Sequence, residues 1–427
     1  MKTKILFLLF TFISNIYGSQ ILNIKDGFIS AISNDCLYFT NDKDGKLLNK
    51  DILNSNTLKP VKQSYKIGNR GFFWTKLTLK NSAKTIQNLT IYNSQAGINF
   101  LEVSIYKNSK LFKTHLLGDL NEQKNREVLS RYSLFNITLL KDETITIVSK
   151  INNYHVYNIS WHIENSNHFT QHENYKVFYL AFFGALLCLF SLYTFLLFKI
   201  YKQYGYLMLS LLSISILSYQ YAINGIFYFL NFGINLDFIT TLAWNASSLI
   251  LLLIILFPYY FFNIKERYKK IGYLLKIFVA VLTVEIIATI YAQYFDENYF
   301  SLHSYWQYTT LLIPFVLACI GIYMLVKKEI GSVYYLLGQG VFFIAIIINT
   351  LGLYGIIPYM PMYKTLIPIF TVVDSLFLLA AQYTRTKDKQ IELEKNKTIL
   401  LDQSRFISIG QAIGNITHQW KQPQPAS

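Results

Sequence analysis

The spacing of apolar residues changes character near residue 175. Before it, from about Gln20 to Glu173, apolar and polar positions alternate in short runs, the period-two signature of strands with one buried face. Phe73, Leu77 and Leu79 alternate with Lys76, Thr78 and Lys80, and Leu101, Val103 and Ile105 alternate with Glu102, Ser104 and Tyr106. Lys107-Asn108-Ser109 supplies turn chemistry before Leu111-Phe112, which predicts a hairpin. Phe135, Ile137 and Leu139 lead into a turn at Lys141-Asp142-Glu143; Thr144 to Ser149 forms the next strand, and Tyr157, Ile159, Trp161 and Ile163 close the region. Short strands at this spacing predict an all-β sandwich over residues 20–173.

Beyond it the alternation gives way to long apolar runs: Val177 to Phe198, Tyr206 to Leu230, Phe238 to Phe262, Ile271 to Tyr294, Tyr308 to Val326, Val333 to Ile357 and Thr365 to Tyr383. Each is long enough to cross about 30 Å of hydrocarbon as a helix, predicting a seven-helix membrane domain over 174–384. Arg385 to Lys397 then mixes both signs around Ile391 and Leu393. Ile399, Leu400, Leu401, Phe406, Ile407, Ile409, Ile413 and Ile416 return at helical spacing, predicting a helix over 385–427 that continues the seventh span and pairs with a second copy of the chain. A solvated juxtamembrane helix is the alternative.

Composition sharpens this picture. The chain is 52% hydrophobic and only 15% charged, which argues against a single soluble enzyme domain. Its net charge of +15 does not point to nucleic acid, because the basic residues lie in short loops between apolar runs. Lys199 and Lys202, then Lys265, Arg267, Lys269 and Lys270, then Lys327 and Lys328, then Arg385, Lys387 and Lys389 occupy alternate loops, whereas 231–237 and 296–306 carry none. The positive-inside rule therefore places the sandwich outside and the tail in the cytoplasm. Lys2 and Lys4 before the apolar stretch Ile5 to Ile13, with Gly18-Ser19 behind it, read as a signal peptide over 1–19, in agreement with an exported sandwich. Cys36, Cys188 and Cys319 are scattered and odd in number, supporting neither a disulfide framework nor a zinc site.

Candidate chemistry is sparse. Arg70, Trp74, Arg131, Tyr154 and Trp161 offer aromatic and cationic groups for a small sugar or anion; the competing reading is that the aromatics fill the sandwich core. Glu285 and Asp374 fall in the fourth and seventh spans, where an acid needs an interior partner or its proton. One reading bonds each to a Tyr, Asn or Gln of a neighbouring helix; the other has that bond break when the helices shift. No repeat of broken helices supports a transporter, and no metal-ligand spacing appears.

The tail carries one chemical motif. Ser408-Ile409-Gly410-Gln411-Ala412-Ile413-Gly414-Asn415-Ile416-Thr417-His418-Gln419-Trp420-Lys421-Gln422-Pro423 resembles the phosphoacceptor helix of sensor histidine kinases whose box reads His-Gln-Trp-Arg-Gln-Pro-Leu. The resemblance implies His418 as phosphoacceptor, its imidazole attacking the γ-phosphoryl of ATP, with Gln419, Trp420, Lys421, Gln422 and Pro423 in support. Lys421 stands where the box has arginine and Gln424 where it has leucine. The family's second dimerisation helix and ATP-binding domain do not follow, so the expectation is a chain cut off at the phosphoacceptor helix and inactive as a kinase alone. Cofactors are expected only in a full-length kinase, as ATP and magnesium.

The whole chain also resembles the bacterial seven-transmembrane receptors with diverse intracellular signalling modules. The resemblance rests on Gly71-Phe72-Phe73-Trp74 through Leu79-Lys80-Asn81, on Phe183-Gly184-Ala185-Leu186-Leu187, and on Asp374-Ser375-Leu376-Phe377-Leu378-Leu379. It implies a multidomain membrane protein of the inner membrane: a periplasmic jelly-roll similar to carbohydrate-binding domains, seven helices, and a cytoplasmic output. The implied function is a receptor feeding a two-component phosphorelay, with a non-enzymatic seven-helix receptor or binding protein as the alternative. Implied partners are a second copy of the chain, a small carbohydrate-like periplasmic ligand, membrane lipid, and a response regulator once a kinase core is present.

Overall fold

The structure, a computed structural model, describes residues 21–55, 58–61, 65–66, 71–121, 126–153, 157–230, 236–295, 299–353 and 362–420. The expected signal peptide lies outside the described residues.

Strands β1 (Leu22–Ile24), β2 (Ser30–Ile32), β3 (Leu37–Asp42), β4 (Lys59–Pro60), β5 (Tyr65–Lys66), β6 (Phe72–Asn81), β7 (Gln87–Tyr92), β8 (Phe100–Lys107), β9 (Lys110–Leu117), β10 (Leu134–Leu139), β11 (Thr144–Asn152), β12 (Tyr157–Asn158) and β13 (His162–Asn165) build the outer domain. The larger sheet runs β4-β3-β6-β11-β8-β9, with β1 added in parallel to β6; the smaller runs β10-β7-β13-β2. Central strand β11 sets Ile147 opposite Leu77 and Ile105, so one apolar row crosses the sheet. That row packs in one core with Leu89, Ile91, Phe135 and Trp161. The two sheets thus form the sandwich the alternation predicts, and the β8–β9 hairpin turns at Asn108 and Ser109, both with positive φ. Helix α1 (Asn49–Asn54) covers the other face of the larger sheet, where Ile52 packs with Trp74, Tyr106 and Val148.

Helices α2 (Ser166–Tyr201), α3 (Tyr204–Ile223), α4 (Ile226–Leu230), α5 (Leu236–Phe261), α6 (Ile264–Arg267), α7 (Lys269–Phe295), α8 (Tyr299–Val326), α9 (Ser332–Leu353) and α10 (Met362–Trp420) follow. Among the described residues, stretches of α2, α3, α7 and α10 are long and apolar enough to cross a membrane, and stretches of α5, α8 and α9 are shorter apolar helices. Many apolar side chains of these helices face outward, as lipid contact requires: Phe178, Leu189, Ile277, Val284 and Phe315 are exposed.

The expected continuous span from Tyr206 to Leu230 is interrupted. Helix α3 ends at Ile223, and Gly225 takes a left-handed φ of +71° before α4 begins. The pair Asn224-Gly225 favours a turn, and the chain turns there against the outer domain: a Cβ added to Gly225 would stand 2.4 Å from the Arg131 carbonyl. The tail, by contrast, continues the last helix without a break, α10 running 59 residues from the bundle into the phosphoacceptor-like motif as far as Trp420.

Candidate functional site

Three polar clusters lie along the path from the sandwich to the tail. The first joins the outer domain to the bundle. Arg131 leaves the loop before β10 and is 3% exposed at its side chain. Its Nη2 donates to Glu173 Oε2 of α2 at 3.0 Å and to the Tyr132 hydroxyl at 2.7 Å, Nη1 donates to the Asn224 carbonyl at 3.1 Å, and Nε donates to Glu173 Oε1. One guanidinium therefore holds the start of the first long helix and the end of the second. Burial works against its charge, but Tyr132 and Glu173 hold its pKa above the ordinary arginine value. Beside it Arg126 stacks 4.3 Å over the ring of Tyr228, on α4, and donates to the Gly118 carbonyl at 2.7 Å. Tyr228 in turn donates to the Asn121 carbonyl. Asp119 stands 3.8 Å from Arg126; desolvation pushes its carboxyl up to about 7 in spite of that cation and the Gly97 backbone N–H.

The second cluster is in the bundle core. Asp374 is 1% exposed, and among the described residues neither its Oδ1 nor the buried Tyr335 hydroxyl meets a hydrogen-bond partner. The two groups sense one another electrostatically across α9 and α10. Gly338 lets these helices close up, since a Cβ there would lie 2.9 Å from Asp374 Oδ1. The partner expected for Asp374 among Tyr, Asn or Gln is thus close but unbonded. Glu285 accepts a bond across helices from Thr309 of α8 at 3.4 Å.

The third cluster grips α10 where it leaves the bundle, at the end remote from the sandwich. Gln382 Nε2 donates to Gln203 Oε1 at 2.8 Å; the Thr386 hydroxyl lies 3.0 Å from the same Oε1 and accepts from Tyr206 at 3.0 Å. Gly205 makes the room, because a Cβ there would overlap the Gln382 amide. On the next turn Glu329 accepts from Arg267 Nη1 at 3.1 Å and from the Tyr268 hydroxyl at 2.8 Å, with Arg385 Nη1 at 3.9 Å.

Of the candidate ligand-binding residues, the three described ones, Trp74, Arg131 and Trp161, stand in three different places. Trp161 is in the inter-sheet core, where Phe135 meets it edge-on at 5.8 Å. Trp74 lies on the opposite face of the larger sheet, its indole donating to Asp42 at 3.1 Å, and Arg131 is in the joint to the bundle. Packing in two separate layers, not ligand binding, accounts for both tryptophans. Arg70 and Tyr154 lie outside the described residues, as do Lys421, Gln422 and Pro423. His418, Gln419 and Trp420 are in the last turn of α10, with side chains outside the described set. Sequence reading missed Glu173, Gln203, Gln382, Thr386 and Glu329. Only Glu329, the one acid in a loop of cations, carried a visible signal.

Comparison with known proteins adds two findings. Residues 34–165 match the 7TMR-DISM extracellular 2 family, and residues 175–383 match the 7TM diverse intracellular signalling family. No curated protein matches the chain.

Proposed function

The chain belongs to the 7TM diverse intracellular signalling receptors (7TMR-DISM), and from that premise we propose that it is an inner-membrane receptor relaying a periplasmic signal to a histidine phosphorelay. In this reading the sandwich is a periplasmic jelly-roll that takes a small carbohydrate-like or anionic ligand. The apolar helices cross the membrane seven times, and α10 emerges in the cytoplasm to pair with a second copy.

One observation carries the reading: α10 is a single helix from Met362 to Trp420, gripped at Gln382 to Arg385 by the polar cluster and ending in the His418 motif. A rigid helix transmits a rotation or a shift along its axis, and a two-state grip on its base is enough to bias what lies beyond. Pairing is supported by Ile391, Leu393, Leu400, Phe406 and Ile407, large apolar side chains exposed on α10.

The chemistry of the output is carried by His418. When a kinase domain with ATP and magnesium is present, that nucleotide supplies the phosphoryl group. His418 would receive it, its imidazole nitrogen acting as the nucleophile. The test is a fusion that restores a kinase core around His418, joining this chain to a second dimerisation helix and an ATP-binding domain, in lipid discs with labelled ATP. Acid-labile label that disappears in His418→Gln supports the relay, and label surviving the substitution would overturn it.

A further inference from the structure

The end of the bundle remote from the sandwich carries a lopsided charge. Segments 264–270, 327–331 and 385–389, brought together around Glu329, hold nine lysines and arginines against three acids. Two of those acids are already engaged. Glu329 serves Arg267, Tyr268 and Arg385 at once, and Glu266 accepts from Asn263 Nδ2 at 2.5 Å. The cations are left under-neutralised. Arg385 Nη1 is buried and, among the described residues, has no hydrogen bond; the Arg267 side chain is 56% exposed; and Lys389 lies in electrostatic range of both. Directly alongside, Ile322, Tyr323, Val326 and Ile330 present exposed apolar surface next to Lys327 and Lys328.

A cationic corner bordered by an apolar wall at the end of membrane helices has the chemistry of a phospholipid site: a phosphodiester for the guanidinium and ammonium groups, acyl chains along the wall. A free phosphate satisfies only the first half. We propose that this corner binds the headgroup of one anionic phospholipid of the leaflet it faces, through Arg267 and Lys389. By drawing Arg267 away from Glu329, the lipid leaves that carboxylate to Arg385, tightens the grip on α10 and so sets its resting position. The inference rests on the reading of these helices as membrane spans.

The test uses the full chain in detergent and in lipid discs, with phosphatidylglycerol as probe and phosphatidylcholine as the neutral comparison. Native mass spectrometry should show one phosphatidylglycerol retained at lipid levels where phosphatidylcholine is lost. R267Q/K389Q should weaken that retention about 30-fold, at roughly fivefold per cation near the surface. K389Q alone, on an exposed helical turn, should give a smaller loss in the same direction and guards against misfolding of the double variant. K199Q/K202Q, on the same face but outside the corner, should change nothing. Equal retention of the two lipids, an equal loss in the K199Q/K202Q control, or displacement of the lipid by millimolar inorganic phosphate would overturn the site. A chain that does not enter discs at all would overturn the membrane reading, and this site with it.

Discussion

Arg131 and Glu173 are joined by paired hydrogen bonds between a loop of the β-sandwich and the first long helix, at a point where both side chains are largely buried. Because the same guanidinium holds the Asn224 carbonyl, the sandwich is tied to two helices by one residue. Removing one partner leaves the other charged and buried, a loss of about 3–5 kcal/mol. Arg131→Ala should therefore lower the melting temperature in detergent and expose the 126–132 loop to protease. Arg131→Met with Glu173→Met should recover most of that stability, since no lone charge remains. A single variant as stable as the wild type would show that the joint is not a load path between the domains.

Gly225 meets the same joint from the other side. Alanine there would have to adopt φ of +71° and place its Cβ 2.4 Å from the Arg131 carbonyl. The cost should exceed about 1 kcal/mol. Gly340→Ala, in open space on α9, should be neutral or stabilising. Thermal melts of the two variants side by side test the contrast, and equal behaviour would remove the steric argument.

Asp119 gives the outer domain a pH dependence of unusual sign. Its folded pKa of about 7 lies above the ordinary 3.8, so the native state holds a proton that the unfolded chain has released. Stability from this group is therefore complete below pH 4, falls as pH rises from about 4 to about 7, and is level above that. Asp119→Asn should abolish this part of the fall. Melting curves of both proteins from pH 4 to 8 read the difference directly; a wild type that gains on Asp119→Asn between pH 5 and 7 contradicts the assignment.

Asp374 tolerates a neutral isostere better than a larger apolar group. It has no hydrogen bond to lose among the described residues, so Asp374→Asn should keep membrane insertion and stability. Asp374→Leu forces methyl groups toward Gly338, where the helices leave no room, and should cost about 1–3 kcal/mol through overpacking between α9 and α10. Insertion assays and detergent melts separate the two. A leucine variant as stable as the wild type would show that the helices can part there freely.

The hydrogen bond that Gln382 donates to Gln203 should be worth about 1 kcal/mol to the grip on α10. Gln382→Leu should leave insertion intact while shifting the output of a kinase-core fusion. The measurement is the phosphorylation level of that fusion with and without the substitution, and an unchanged level would place the switch elsewhere.

Strands β6 and β8 to β11 and the long helices were legible in the sequence because both are local events. A period of two or a run of apolar residues declares itself within ten to twenty positions, and after Pro368 the apolar run of α10 passes into a helical periodicity that meets no further proline until Pro423. Short strands such as β1 and β4, with three and two residues, are too brief to show a period and exist because β6 and β3 offer them backbone partners. Tertiary structure alone decided the rest. Trp74 and Trp161 look alike as strand aromatics, but α1 covers one and the second sheet the other. Arg131 meets Glu173 42 residues away, and Gln203 meets Gln382 179 residues away, pairings that no local pattern encodes. The break at Gly225 left only a short local sign, the turn-favouring pair Asn224-Gly225 inside a long apolar segment, and it is the fold that sets this turn against the Arg131 carbonyl of the sandwich.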